Sequence, residues 1–150
     1  LFQSSMVAVV PKDSPQNGPV SLEWLCDNNL LMMQPQDPLG QVLPRALRNQ
    51  GLRPVLSLFI KTYSVIADMV LAGGGTGVVD LFTACRYADQ LKILPVDQPL
   101  PFEVMIIGRR DTPQSREALQ LKKVLKQKLR DLALQCSTLM HRDVLPLASV

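Results

Sequence analysis

The feature that most constrains the fold is a rhythm in which short apolar runs alternate with segments of helical periodicity, separated by Pro- and Gly-rich turns. Met6-Val7-Ala8-Val9-Val10 is an unbroken apolar run stopped by Pro11, and such a run reads as a buried strand. The loop KDSPQNGP follows, and Ser21 with Glu23 then marks the start of a short helix through Trp24 to about Asp27. Leu30 to Met33 is a second strand. Asp37-Pro38 opens a helix with Leu39, Val42, Leu43, Ala46 and Leu47 at helical spacing, Gly51 as its stop, and Pro44 set to kink it or shorten its front end. Val55 to Ile60 is a third strand. Thr62 caps the next helix, whose expected buried stripe is Val65, Ile66, Met69 and Val70. Val78-Val79 begins an extended piece, Phe82 to Ala88 a short helix, and Leu91–Val96 and Phe102–Ile107 two more strands around the turn DQPLP. A long helix opened by Thr112-Pro113 runs to about Leu134, with Leu121, Leu125, Leu129 and Leu132 on one face, and the chain after Met140 reads as a frayed tail. Strand–helix alternation of this kind predicts an α/β fold with a parallel sheet covered by helices.

Four of the eight glycines fall in the stretch Ala72-Gly73-Gly74-Gly75-Thr76-Gly77. A dinucleotide fingerprint needs Gly at positions one, three and six, after a strand and at the start of a helix. Here the sixth position is Val78, the preceding element is a helix, and the following one is a strand. That order presents carbonyls and the negative end of a helix dipole, which repel phosphate. No Gly-Lys-Ser/Thr follows, so a Walker-type loop is excluded too. The glycines read as a left-handed helix stop at Gly73 and a tight crossing at Gly75.

At 150 residues the chain has single-domain size. An apolar fraction of 47% with 19% charged residues describes a folded protein, and only 5% aromatics leaves the core to Leu, Val, Ile and Met. No apolar run approaches the roughly 20 residues that span a bilayer. Neither a basic segment before Leu1–Val10 nor a small-residue cleavage site after it suggests a signal peptide. The chain starts at Leu1 and not at Met, which reads as a part excised from a longer protein. Cys26, Cys85 and Cys136 are odd in number and more than fifty residues apart, so the expectation is free thiols in a reducing cytosol. The net charge is +3, but residues 109–130 carry eight basic and two acidic side chains, and the rest of the chain is therefore negative. Lys122, Lys123, Lys126, Lys128 and Arg130 lie off the leucine stripe and read as a solvated face, since no aromatic or base-reading side chains accompany them.

Catalytic signals are missing. His141 is the sole histidine and has no partner cluster for catalysis or a metal, no Ser sits in a nucleophile elbow, and no Cys/His pair is close in sequence. Asp37 reads as a helix cap, and Asp68, Asp80 and Asp97 as exposed helix or turn positions. No cofactor is called for.

A family resemblance rests on the order and spacing of several weak patterns. VPKDSP, VSLEWL, LLMM, LGQVLPRALRNQGLRP and TYSVIADMVLAGGGTGVV, followed by LKILPVDQPLPFEVMIIGRRDTPQSREALQLKKVL, resemble the effector-binding domain of LysR-type transcriptional regulators over residues 1 to about 130. Ser14 departs from the His usual there, and Asp80-Leu81 stands where the family often has Pro. The resemblance implies an α/β, periplasmic-binding-protein-like (type 2) effector domain of two lobes with a small-molecule pocket between them. Residues 1–82 would form the second lobe with a parallel sheet, 83–135 the return to the first lobe with a closing helix, and 136–150 a flexible tail. The DNA-binding helix-turn-helix would lie outside this chain, which would act on promoter DNA only through it, in the cytoplasm, as a homodimer or tetramer and without a membrane.

In open α/β sheets ligands sit beyond the carboxyl ends of the strands, where helix N-termini offer free amides. Two such turns occur here, Gln34-Pro35-Gln36 and Lys61-Thr62-Tyr63. The resemblance places effector contacts at the same two turns, with a lesser one at Phe102. Lys61 beside helix N-termini suits a carboxylate-bearing effector, and Thr62 can serve as cap and as ligand contact. Two other readings remain open: a solute-binding protein of a transport system, disfavoured by the lack of an export signal and by the odd thiols, and an α/β enzyme fragment, which would have to bind a nucleotide.

Overall fold

The computed structural model describes residues 2–108 and 115–141. The expected Thr112-Pro113 helix start and the tail beyond His141 lie outside them. One sheet organises the chain, with strands β1 (Phe2–Pro11), β2 (Leu30–Met33), β3 (Ser57–Ile60), β4 (Thr76–Asp80) and β5 (Leu91–Leu94) in the order β3-β2-β4-β1-β5, and β6 (Pro101–Val104) paired to the start of β1. The helices are α1 (Leu22–Asp27), α2 (Val42–Asn49), α3 (Tyr63–Leu71), α4 (Leu81–Arg86) and α5 (Arg116–His141).

The alternation survives, but the expected parallel sheet does not. β2 pairs in parallel with β3 and β4, whereas β1 runs antiparallel to β4, β5 and β6. β1 has ten residues, and its first half holds β6 while its second half is flanked by β4 and β5. Both neighbours cover it, and Ala8 and Val9 are fully buried. Burying a Val- or Leu-sized side chain stabilises by roughly 1.5–3 kcal/mol, and this central strand joins the two packed faces into one core.

Local signals explain the helix ends. Ser21 Oγ accepts from the Trp24 amide at 3.1 Å, the expected cap of α1. Pro44 falls in the first turn of α2, where a missing N–H costs no helical bond, because a 3₁₀ turn over Leu39–Gln41 takes up the preceding residues. Asp80, expected at an exposed turn, is instead the N-cap of α4 and accepts from the Thr83 amide at 3.0 Å. At the other end of α3, Gly73 (φ 80°) donates to the Val70 carbonyl and Gly74 to that of Met69, a Schellman stop as expected. Gly75 (φ 136°) then lets the chain cross so tightly that a Cβ there would lie 2.1 Å from the Asn29 carbonyl oxygen.

Three expectations need correction. The buried stripe of α3 is Tyr63, Ile66, Ala67 and Val70, one position round from the expected one, and Val65 is exposed. The helix turns because its first residue, an aromatic, inserts into the core. Cys85 and Cys136 form a disulfide that joins α4 to α5, with Cα atoms 5.6 Å apart, so only Cys26 is a free thiol. Sequence separation hid this pair because α5 folds back across α4. Burial pushes the Cys26 thiol above its ordinary range, with Asp27 and Glu23 adding to the effect. Helix α5 continues to His141, so residues 136–141 are helical and not tail. Its leucine stripe is uncovered: Leu121, Leu125 and Leu132 are exposed, and contact with the body is made through Ala133 and Cys136.

Candidate ligand-binding turns at the strand ends

The carboxyl ends of β2 and β3 deliver two turns side by side. Met33 is in register with Ile60, and the Gln34 amide donates to the Ile60 carbonyl at 2.9 Å, which extends the ladder into the first turn. Gln34 and Gln36 expose their side chains, with Pro35 half-buried between them. Asp37 Oδ1 accepts from the Leu39 amide at 3.0 Å and fixes the descent into the 3₁₀ turn. Gly40 passes directly beneath: a Cβ there would lie 2.0 Å from the Gln34 carbonyl oxygen. No other residue fits, so a glycine four positions after the turn sets where Gln36 stands. Nothing in the local sequence pattern marked it.

The second turn is Lys61-Thr62. Thr62 has the extended backbone of an N-cap (φ −139°, ψ 147°), but its side chain does not cap and lies 3.4 Å from the Ser64 hydroxyl. The first bond of α3 runs from the Ile66 amide to the Thr62 carbonyl. The amides of Tyr63, Ser64 and Val65 therefore lack an internal partner among the described residues, and the positive end of the α3 dipole sits beside them. Lys61 is exposed and makes no ion pair among the described residues. Free amides, a helix N-terminus and an unpaired ammonium make an anion-favouring surface, with the carboxamides of Gln34 and Gln36 adding donors and acceptors.

Tyr63 takes another position. Its ring is buried at 9% exposure, and its hydroxyl has no hydrogen-bond partner. It borders a void of about 10 Å³ whose other side chains include Met6, Met32, Leu39 and Val78. The other side chains around it are apolar, so the phenol finds no side-chain partner there. Desolvation pushes the phenol above its ordinary range, and the carboxylates of Asp80 and Asp37 add to the shift.

Phe102 is also enclosed. It pairs with Ser4 in the β6–β1 ladder, and its ring meets Phe82 edge-on at 6.3 Å, with Phe2 on the other side of Phe82 at 5.6 Å. The structure thus brings Gln34, Pro35, Gln36, Lys61 and Thr62 together on one exposed edge, with Tyr63 beneath it and Phe102 in an aromatic cluster. Asp80, overlooked in the sequence, faces the same end: it is in register with Met6 and acts on Tyr63. An Asp three residues before a Thr was the signal that could have found it. Among the described residues no cluster of His, Cys, Asp or Glu could hold a metal ion, and no helix is long and apolar enough to cross a membrane.

The model of the LysR substrate binding domain matches residues 1–130, so the chain belongs to that family. Solved structures agree on the fold. An OxyR variant from Corynebacterium glutamicum superposes with a TM-score of 0.70 at 18% identity, over 99% of this chain and 48% of that one. The effector binding domain of QuiR in complex with shikimate gives 0.61 at 12% identity, over 81% and 59%. The BenM effector binding domain with its effector benzoate gives 0.55 at 18%, over 65% and 47%. The chain spans about half the length of these structures. No curated protein matches it in sequence. The family and its neighbours are effector domains of transcriptional regulators, of the periplasmic-binding-protein-like type.

Proposed function

We propose that this chain is the second lobe, with the returning part of the first, of the small-molecule-sensing domain of a cytoplasmic LysR-type regulator. Its effector sits on the Gln34–Gln36 and Lys61–Thr62 turns and carries a carboxylate. The observation that supports this most is the uncapped N-terminus of α3 beside an unpaired Lys61: Thr62 leaves the first amides open, and an anion accepts from them at little reorganisation cost. Benzoate and shikimate, bound by two proteins of similar fold, both carry a carboxylate.

The exposed leucine stripe of α5 fits the same reading, in which the rest of the first lobe would pack against it. Effector closure would change the angle between lobes, and a homodimer or tetramer would pass the change to a helix-turn-helix on promoter DNA. Tyr63 supports the turns from below and Phe102 holds the return strand. Calorimetry with benzoate, shikimate and other small organic acids, on the two-lobed protein and its Lys61→Ala variant, tests the reading. Saturable binding weakened about tenfold by the substitution supports it; equal affinity, or no binding by any acid, refutes it.

A further inference from the structure

At the opposite end of the sheet the glycine stretch borders an open groove of about 320 Å³ between the β1–α1 loop, α1 and the start of β4, with Asp13 exposed on its rim. Asp13, Trp24, Asn28, Gly73, Gly75 and Thr76 are among its walls. Thr76 is 4% exposed, and its hydroxyl has no hydrogen-bond partner among the described residues. Its side chain lies on the sheet face shared with Leu30, its register partner, and it lines the groove beside Val10. Asn28 donates one N–H of its side-chain amide to the Trp24 carbonyl at 2.6 Å, and its side-chain carbonyl oxygen makes no bond among the described residues. Ser14 Oγ already accepts from the Gln16 amide. The Asp13 carboxylate has no partner among the described residues.

The Asp13 carboxylate, the Asn28 side-chain carbonyl and the Thr76 hydroxyl oxygen can all accept, and two further features favour a donor ligand of positive charge. Helix α3 ends just before Gly73, one of the walls, so its negative dipole end lies beside the groove. No lysine or arginine lines it: the Lys92 ammonium is held by the Ser14 and Gln16 carbonyls and by Asn17 Oδ1. Trp24 adds an aromatic wall that attracts cations.

We infer that this groove is a second ligand site, distinct from the strand-end turns, and that it takes a small organic ammonium ion with an apolar body. Asp13 and the α3 carbonyl end hold the charge, Thr76 and Asn28 accept N–H hydrogen bonds, and Trp24 with Val10 covers the apolar part. The same arrangement that makes the glycine stretch repel phosphate makes it attract an amine.

Trp24 is the only tryptophan of the chain, so its emission reports this groove directly. Phenethylammonium, 2-phenylethanol and phenylacetate, titrated against the full chain, have one shape and differ in charge. The ammonium should give a saturable change in emission, the alcohol should bind about tenfold more weakly, and the carboxylate should not bind. Asp13→Asn should bring the ammonium down to the level of the alcohol, and Thr76→Val should weaken both about fivefold. The inference is overturned if the ammonium gives no saturable change, if phenylacetate competes with it, or if Asp13→Asn leaves the preference for the ammonium intact.

Discussion

The two ends of the central sheet are built from the same kinds of segment and present opposite chemistry. At the carboxyl ends of β2 and β3 the chain enters α3 through Thr62, whose side chain leaves the first amides open. At the other end α3 leaves through Gly73 and Gly74, which close its last turn with two backbone bonds, and the groups left over are acceptors. One end gathers donors and Lys61; the other gathers carbonyls, Asp13 and the Thr76 hydroxyl. The direction of a nine-residue helix therefore decides which end receives an anion, more than the glycine count does.

Substitutions at the two ends can break this contrast. The largest effect is expected at Gly75, where an added Cβ meets the Asn29 backbone and the φ of 136° disfavours any side chain. Gly75→Ala should cost about 3 kcal/mol or more in chemical denaturation, without involving the anion turns directly. Gly40→Ala should cost somewhat less, about 2 kcal/mol, because the Gln34 turn is more exposed and can yield. Unlike Gly75→Ala, it should also weaken binding of an organic acid in calorimetry, because it displaces Gln34 and Gln36. Equal binding after Gly40→Ala would show that the turn is not part of the site.

A smaller effect of opposite sign is expected at Tyr63. Tyr63→Phe removes a buried hydroxyl without a partner and should raise stability by about 1 kcal/mol. The phenol is raised in the folded state, so the folded protein holds this proton more tightly than the unfolded chain. Stability should then be flat with respect to this group up to the ordinary tyrosine range near pH 10, and fall above it. In Tyr63→Phe that alkaline fall should be reduced, as read by denaturation at pH 9 and pH 11. The smallest change should come from Ser21→Ala, about 1 kcal/mol or less, with no effect on ligands at the strand-end turns.

Signals confined to a few neighbouring residues were legible in the sequence. Ser21 as a cap, Gly73 as a left-handed stop, and Pro44 trimming the front of α2 each depend on one turn of backbone. The polarity that rejects a phosphate at AGGGTG was readable for the same reason. What was hidden depends on distant partners. The antiparallel setting of β1 lies in its pairing with β4, β5 and β6, all distant in sequence, and the Cys85–Cys136 bridge in how α5 lies on α4. At the strand ends, the positions of Gln34 and Thr62 followed from strand–helix order. Two facts did not: that Thr62 withholds its cap, and that Gly40 is pressed under the Gln34 carbonyl. Both are matters of side-chain rotation and close packing, to which spacing is blind.

The central claim is that the anion-binding end is the one formed by the two strand-to-helix turns. Backbone amide shifts of the two-lobed protein, recorded while benzoate or shikimate is added, test it most directly. The account predicts saturable shifts concentrated at Gln34, Gln36 and the amides of Tyr63, Ser64 and Val65, with Gly73, Gly74 and Thr76 unmoved. Shifts gathered at the glycine end, or no saturable shift at either turn with these acids, would contradict it.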